Sequence, residues 1–144
     1  MEQKAAWWYK QSGVIPYRIR TIELSNTPEF EVLLITSRKR KRWIIPKGII
    51  EPNLTPQASA EKEAIEEAGV AGNASERSLG SYTHKKWRGT CHIEVFPLEV
   101  TEEFETWPES TFRDRKWMSI EEAVELLDND ELKSIFKKLK TLFS

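Results

Sequence analysis

The chain has 144 residues, 39% of them hydrophobic and 31% charged, with a net charge of −1. That suits one domain, here taken as residues 1–144, which can bury a core without staples; with no global field to recruit nucleic acid or a membrane, any polyanion site must be local. The single cysteine, Cys91, excludes an internal disulfide and suits a reducing compartment.

The opening segment, MEQKAAWWYK, has no long apolar h-region, and no apolar run approaches bilayer length, so a cytoplasmic protein is expected. Trp7 and Trp8 would tether this segment to a sheet. Residues 13–22, GVIPYRIRTI, read as extended, with Pro16 marking an edge strand or a bulge. Asn26-Thr27-Pro28 predicts a turn, and residues 30–36, FEVLLIT, a short apolar strand. Five consecutive basic residues, 38–42, precede a third short strand at Trp43-Ile44-Ile45. Pro46-Lys47-Gly48 then breaks the chain, and Glu51-Pro52-Asn53 turns it.

Thr55 is a natural N-cap with Pro56 at the first helical position, and Gly69 a natural stop, so a helix is expected to run to about Ala68. Its alanines and Ile65 should supply the buried side. Residues 78–83 and 91–100 read as strands, the second alternating at Ile93 and Val95, which makes Cys91 a small buried residue rather than a nucleophile. Residues 115–119 predict a short strand. Residues 121–127 and 132–142 have helical apolar spacing on either side of Asp128-Asn129-Asp130. Strands around a central helix, followed by C-terminal helices, give an α/β sandwich.

Within the central helix, Glu63, Glu66 and Glu67 stand at i, i+3 and i+4 and project from one face. Like charges so spaced weaken an isolated helix by roughly 0.2–0.5 kcal/mol per pair. A divalent cation would turn that repulsion into attraction, and oxygen-only ligands suit Mg²⁺. A solvated acidic face is the bland alternative, and the three glutamates alone do not exclude it.

Residues 48–70, GIIEPNLTPQASAEKEAIEEAGV, resemble the Nudix box: a glycine, five residues, Glu, seven residues, then Arg-Glu-x-x-Glu-Glu-x-Gly and an apolar residue. The matching positions are Gly48, Leu54, Lys62, Glu63, Glu66, Glu67, Gly69 and Val70, and six of the eight fit. Leu54 stands where the family has a supporting glutamate. Lys62 stands for the arginine that orients the first metal-side glutamate, keeping charge but losing the planar grip. The resemblance implies a mixed β-sheet between α-helices. It also implies Mg²⁺ (or Mn²⁺) on Glu63 and Glu67 with the Lys47 carbonyl, and Glu66 as the base or a further ligand. Gly48 and Lys62 would support the box.

The flanking stretches RKRKRWIIPKG, LGSYTHKKWRG and RDRKWMSIEEAVELL resemble the hydrolases of diphosphoinositol polyphosphates and diadenosine polyphosphates, a likeness running from about Val14 to Leu127. A polyphosphorylated small molecule is the substrate this implies. Basic residues cluster at 38–42, 85–88 and 113–116, where they could clamp phosphates or simply line solvated loops. Arg38, Arg88 and Arg113 are the first candidates for substrate binding, then Lys10 and Lys85. Trp87, inside KKWRG, is the candidate to stack on a base, whereas Trp43 and Trp117 fall in strand patterns that read as packing. His84 and His92 are lone histidines without metal-ligand spacing. Trp-x-x-Pro-Lys-Gly also occurs in enzymes that decap RNA, but the absence of a basic balance argues against nucleic acid. Nucleoside-triphosphate sanitising and a catalytically weak sensing module are the remaining alternatives.

Overall fold

The computed structural model describes residues 7–21, 28–86 and 89–143. An eight-stranded mixed sheet is built on a parallel central pair, β1 (Trp7–Thr21) and β7 (Gly89–Glu103). On one side of β1 lie β2 (Pro28–Thr36) and β4 (Lys47–Ile49), both antiparallel to it. Beyond β2 come β3 (Trp43–Ile44) and β8 (Arg115–Met118). On the side of β7 lie β5 (Val70–Ala74) and β6 (Gly80–Lys86), again antiparallel. The helices are α1 (Pro56–Glu63), which continues into a π-helical turn (Ala64–Ala68), α2 (Ile120–Leu126) and α3 (Asp130–Leu142).

Period-two alternation divides the core between the two faces. Val14, Leu33, Ile35 and Leu98 pack with Ala60, Ala64 and Ala68 under α1. Their chain neighbours Ile15, Val32 and Leu34 point the other way, joining Ile93, Val95, Phe136 and Leu139 under α2 and α3. Helices thus cover both faces of a mixed sheet, as expected. Cys91 is 2% exposed within the second cluster, the buried small residue its strand pattern indicated. Trp43 and Trp117 are partly buried packing residues, one in each cluster.

Pro16 does not mark an edge: β1 is central. The proline is tolerated because β4 pairs only residues 11–13 and β2 only residues 17–21. Val14 N–H bonds the Pro46 carbonyl on that side. Two residues on, the missing N–H of Pro16 faces the gap between the two partners. The break expected at Pro46-Lys47-Gly48 is instead the entry to β4. Residues 26 and 27 of the expected turn lie outside the described residues, and Pro28 opens β2. The helix begins as its cap signals require, with Thr55 accepting from the Ala58 amide and proline in the first turn. Ile65 is 40% exposed, so of the expected apolar residues only the alanines supply the buried stripe, with Ser59 and Glu67 beside them.

Candidate active site

At the C-terminal end of α1 the acidic helix is pressed against β4. The Glu63 carboxyl group lies on Gly48, where a Cβ would come within 2.3 Å of Glu63 Cδ and Oε2. Glu67, 8% exposed, accepts at Oε1 from the Lys47 amide at 3.1 Å. Glu66 is half-buried on the π-helical turn, a feature often found at functional sites. Burial, then the Glu67 and Glu66 charges, push the Glu63 carboxyl up to about 8. Burial likewise raises Glu67, against the pull of Arg113 and the Lys47 amide. Both carboxyls are raised, so a cation binding there competes with protons. Among the described residues, no three Asp, Glu, His or Cys side chains converge as ready-made ligands. The donor set is nevertheless all oxygen and crowded by like charge, which fits a hard divalent cation.

The segment between β7 and β8 closes over this end of the helix. Trp107 Nε1 donates to the Glu67 carbonyl at 2.9 Å, and the Glu109 amide to the Glu66 carbonyl at 3.1 Å. Arg115 donates to the carbonyls of Ala68 at 2.9 Å and Phe104 at 2.6 Å while stacking on the Trp107 ring at 4.0 Å. These contacts satisfy carbonyls that a helix end leaves orphaned. They also leave no room beneath them: Gly69, at φ +67°, would carry a Cβ 2.5 Å from Arg115 Nη1.

Beside Glu67 opens a cavity of about 520 Å³. Its basic wall is Arg38, Lys39, Lys41 and Arg42 from the loop after β2, with Lys47; its acidic wall is Glu67 and Glu109. Arg38 stacks on the Phe112 ring at 5.0 Å. Arg40, at φ +55°, bends the loop and turns away to the Thr111 carbonyl (3.0 Å) and Asp114 (3.3 Å). Gln11, Ile44, His84 and Cys91 supply a neutral lining.

Arg113, a candidate for substrate binding, lines this same cavity but is held tightly in its wall. It is 6% exposed, donating to the Thr36 carbonyl at 2.9 Å and to Glu109 at 2.6 Å, and it stands 3.8 Å from Glu67. Buried carbonyl and carboxylate oxygens demand such a partner, and a guanidinium can serve several at once. Lys62 does not orient Glu63: its ammonium grips both oxygens of Glu51, at 2.9 and 3.1 Å, while Leu54 is 40% exposed. Lys10, exposed on β1, lines a separate hollow beside Ile50 and Pro52. Lys85, exposed on β6, lines none of the hollows described. Trp87 and Arg88 lie outside the described residues. Glu109 and Gln11 carried no signal in the sequence: one stands in an aperiodic loop, the other on a strand whose register decides its neighbours.

Known proteins agree with this architecture. The family described as NUDIX domain matches residues 18–139. Nudix hydrolase 21, chloroplastic, of Arabidopsis thaliana is 44% identical over 120 residues, covering 81% of this chain and 59% of that protein. Diphosphoinositol polyphosphate phosphohydrolase 3-alpha of Mus musculus is 42% identical over 102 residues, covering 69% and 61%. The chain therefore spans less than two thirds of either relative's length. A C. elegans Ap4A hydrolase solved as a binary complex superposes with a TM-score of 0.75 at 20% identity, over 94% of this chain and 97% of that one.

Proposed function

The chain belongs to the NUDIX domain family, and on that footing we propose that it hydrolyses a phosphoanhydride bond in a polyphosphorylated small molecule, with Mg²⁺ or Mn²⁺ as cofactor. The observation that carries this reading is the junction of two charges: a crowded glutamate cluster whose member Glu67 lines a cavity walled by Arg38, Lys39, Lys41 and Arg42. Diadenosine polyphosphates and diphosphoinositol polyphosphates are the leading substrates, in keeping with the names of the C. elegans and mouse proteins.

Glu63, Glu67 and the Lys47 carbonyl would hold the cation, which when bound supplies Lewis acidity towards the phosphoryl oxygens and the attacking water. Glu66 would take the water's proton or serve as a further ligand. The basic wall holds the polyphosphate in line, arginine two-pronged and lysine as a point charge. Arg113, in the cavity wall, orients Glu67 and Glu109 and keeps its proposed role as a phosphate contact. Arg88 and Trp87 keep their proposed roles, a phosphate contact and a base-stacking ring. Among the described residues no helix is long and apolar enough to cross a membrane. A cytoplasmic setting is part of the proposal, although relatives' names include chloroplastic and mitochondrial forms.

The test is product analysis with Mg²⁺ on diadenosine tetraphosphate, an inositol pyrophosphate, ADP-ribose, 8-oxo-dGTP and 5′-triphosphorylated RNA. Cleavage of one of the first two, lost on chelation, is expected. Glu67→Gln should abolish turnover with the fold intact; full activity in that variant would sink the glutamate assignment. Leu54 and the engagement of Lys62 with Glu51 favour a second reading, a ligand-sensing module. Tight binding of one compound without turnover of any would select it.

A further inference from the structure

Five consecutive cations occupy residues 38–42, yet only four of them, Arg38, Lys39, Lys41 and Arg42, line the cavity beside Glu67. Like charges so close in the chain would by themselves fan out into solvent. Two sets of bonds oppose that. The loop is wound on Ser37, whose amide donates to the Arg42 carbonyl at 2.8 Å and whose carbonyl accepts from the Arg40 amide at 2.7 Å. The Ser37 hydroxyl oxygen accepts from the amides of Lys41 and Arg42 at 3.2 and 3.3 Å. Arg40 completes the winding at φ +55°, a backbone conformation that costs a residue with a Cβ some strain. Its guanidinium crosses to the segment before β8, donating from Nη2 to the Thr111 carbonyl at 3.0 Å and standing 3.3 Å from Asp114 Oδ2. The foot of the loop is tied to the same place: the Thr36 amide donates to the Asp114 carbonyl at 3.0 Å, and the Asp114 amide to Thr36 Oγ1 at 2.9 Å.

The segment that receives Arg40 also carries part of the acidic wall. Glu109 lines the cavity, and its amide donates to the Glu66 carbonyl. We propose that Arg40 is a positioning residue for the substrate: anchored on Thr111 and Asp114, it holds the loop in the bend that gathers Arg38, Lys39, Lys41 and Arg42 on the cavity. It thereby fixes the basic wall relative to the glutamates. The role needs no contact between Arg40 and the substrate. Its pairing with Asp114 is solvent-exposed and adds little to global stability. The effect is local, on where four neighbouring cations point. This rests on the polyphosphate reading above.

The test compares Arg40→Asn and Asp114→Ala with the parent, all carrying Glu66→Gln so that binding is read without turnover. Asparagine tolerates the positive φ but is too short to serve as the anchor. Alanine at 114 keeps both backbone bonds to Thr36. The two substitutions change the charge near the cavity in opposite senses. A field effect alone would weaken polyanion binding in the first and tighten it in the second, whereas loss of the anchor weakens both. Calorimetry with Mg²⁺ and diadenosine tetraphosphate or an inositol pyrophosphate should show binding weakened about tenfold in Arg40→Asn and about threefold in Asp114→Ala. Without ligand, limited trypsin digestion should cut after the four cavity-lining cations faster in both variants, with melting temperatures close to the parent's. Tighter or unchanged binding in either variant, trypsin sensitivity equal to the parent's, or weakening accompanied by a clear fall in melting temperature would each overturn the assignment of Arg40. A parent that binds neither ligand would sink the polyphosphate reading and this inference with it; the digestion, read without ligand, tells the two failures apart.

Discussion

Gly48 leaves the Glu63 carboxyl group room that no other residue could. A Cβ at that position would stand 2.3 Å from the carboxyl carbon, with its closest contacts all on one flexible side chain. Gly48→Ala should therefore displace Glu63 rather than unfold the protein. Misplacing a reacting group by about 1 Å can cost about 10²-fold in rate. We expect a loss of that order in turnover, with a melting temperature close to wild type. A fully active alanine variant would show that Glu63 works from another position. At Lys62 the geometry bears on a different contact. Its grip on Glu51 ties the loop after β4 to the helix, and the Glu51 amide adds a bond to Ser59 Oγ at 3.1 Å. Lys62→Arg should hold or raise the rate, because a guanidinium matches both oxygens of Glu51 at least as well. A large loss in the steady-state rate would show that this loop needs the smaller ammonium.

At the scale of elements, the π-helical turn depends on β8 as much as on its own sequence. Arg115 reaches from that strand to the last helical carbonyls, a cation at the negative end of the helix. Charge-assisted bonds of this kind are worth about 1.5–3 kcal/mol each. Arg115→Ala should destabilise the fold by at least that much in chemical denaturation and loosen the turn bearing Glu66 and Glu67. Lost stability with unchanged turnover would separate the cap from the site. The helix itself was legible from Thr55-Pro56 at one end and Gly69 at the other, because capping is local chemistry. Strands β2 and β7 were legible from their apolar runs. By contrast, β5 reads VAGNA, with little intrinsic preference for a strand, and forms because it pairs with residues 98–103 of β7. Likewise the tripeptide that begins β4 is a chain break by composition and a strand only by pairing with β1. The box glutamates were readable from spacing, whereas the burial of Arg113, the proximity of Glu109 and the neutral lining at Gln11 arise from long-range contacts.

For the whole molecule, the glutamate cluster makes stability depend on pH and on cations. The Glu63 carboxyl is raised from its ordinary 4.5 to about 8, so between those values the folded state binds more protons than the unfolded one. Stability must then fall as pH rises through that window. The contribution is greatest below about 4.5 and lost once the folded carboxyl ionises above about 8. Glu67 is raised as well and acts in the same direction. In chelator, the melting temperature should decline from pH 5.5 to 8.5 relative to Glu63→Gln, which lacks the titrating group. Added Mg²⁺ should reverse the trend, since a cation binds the ionised cluster and stabilises the folded state in proportion to the logarithm of its concentration over the dissociation constant. Titrating Mg²⁺ at pH 6 and pH 8 while recording melts tests both halves. A wild-type profile parallel to that of Glu63→Gln, with no larger shift from Mg²⁺ at the higher pH, would mean that this carboxyl is ionised in the free protein and that proton and cation do not compete for it.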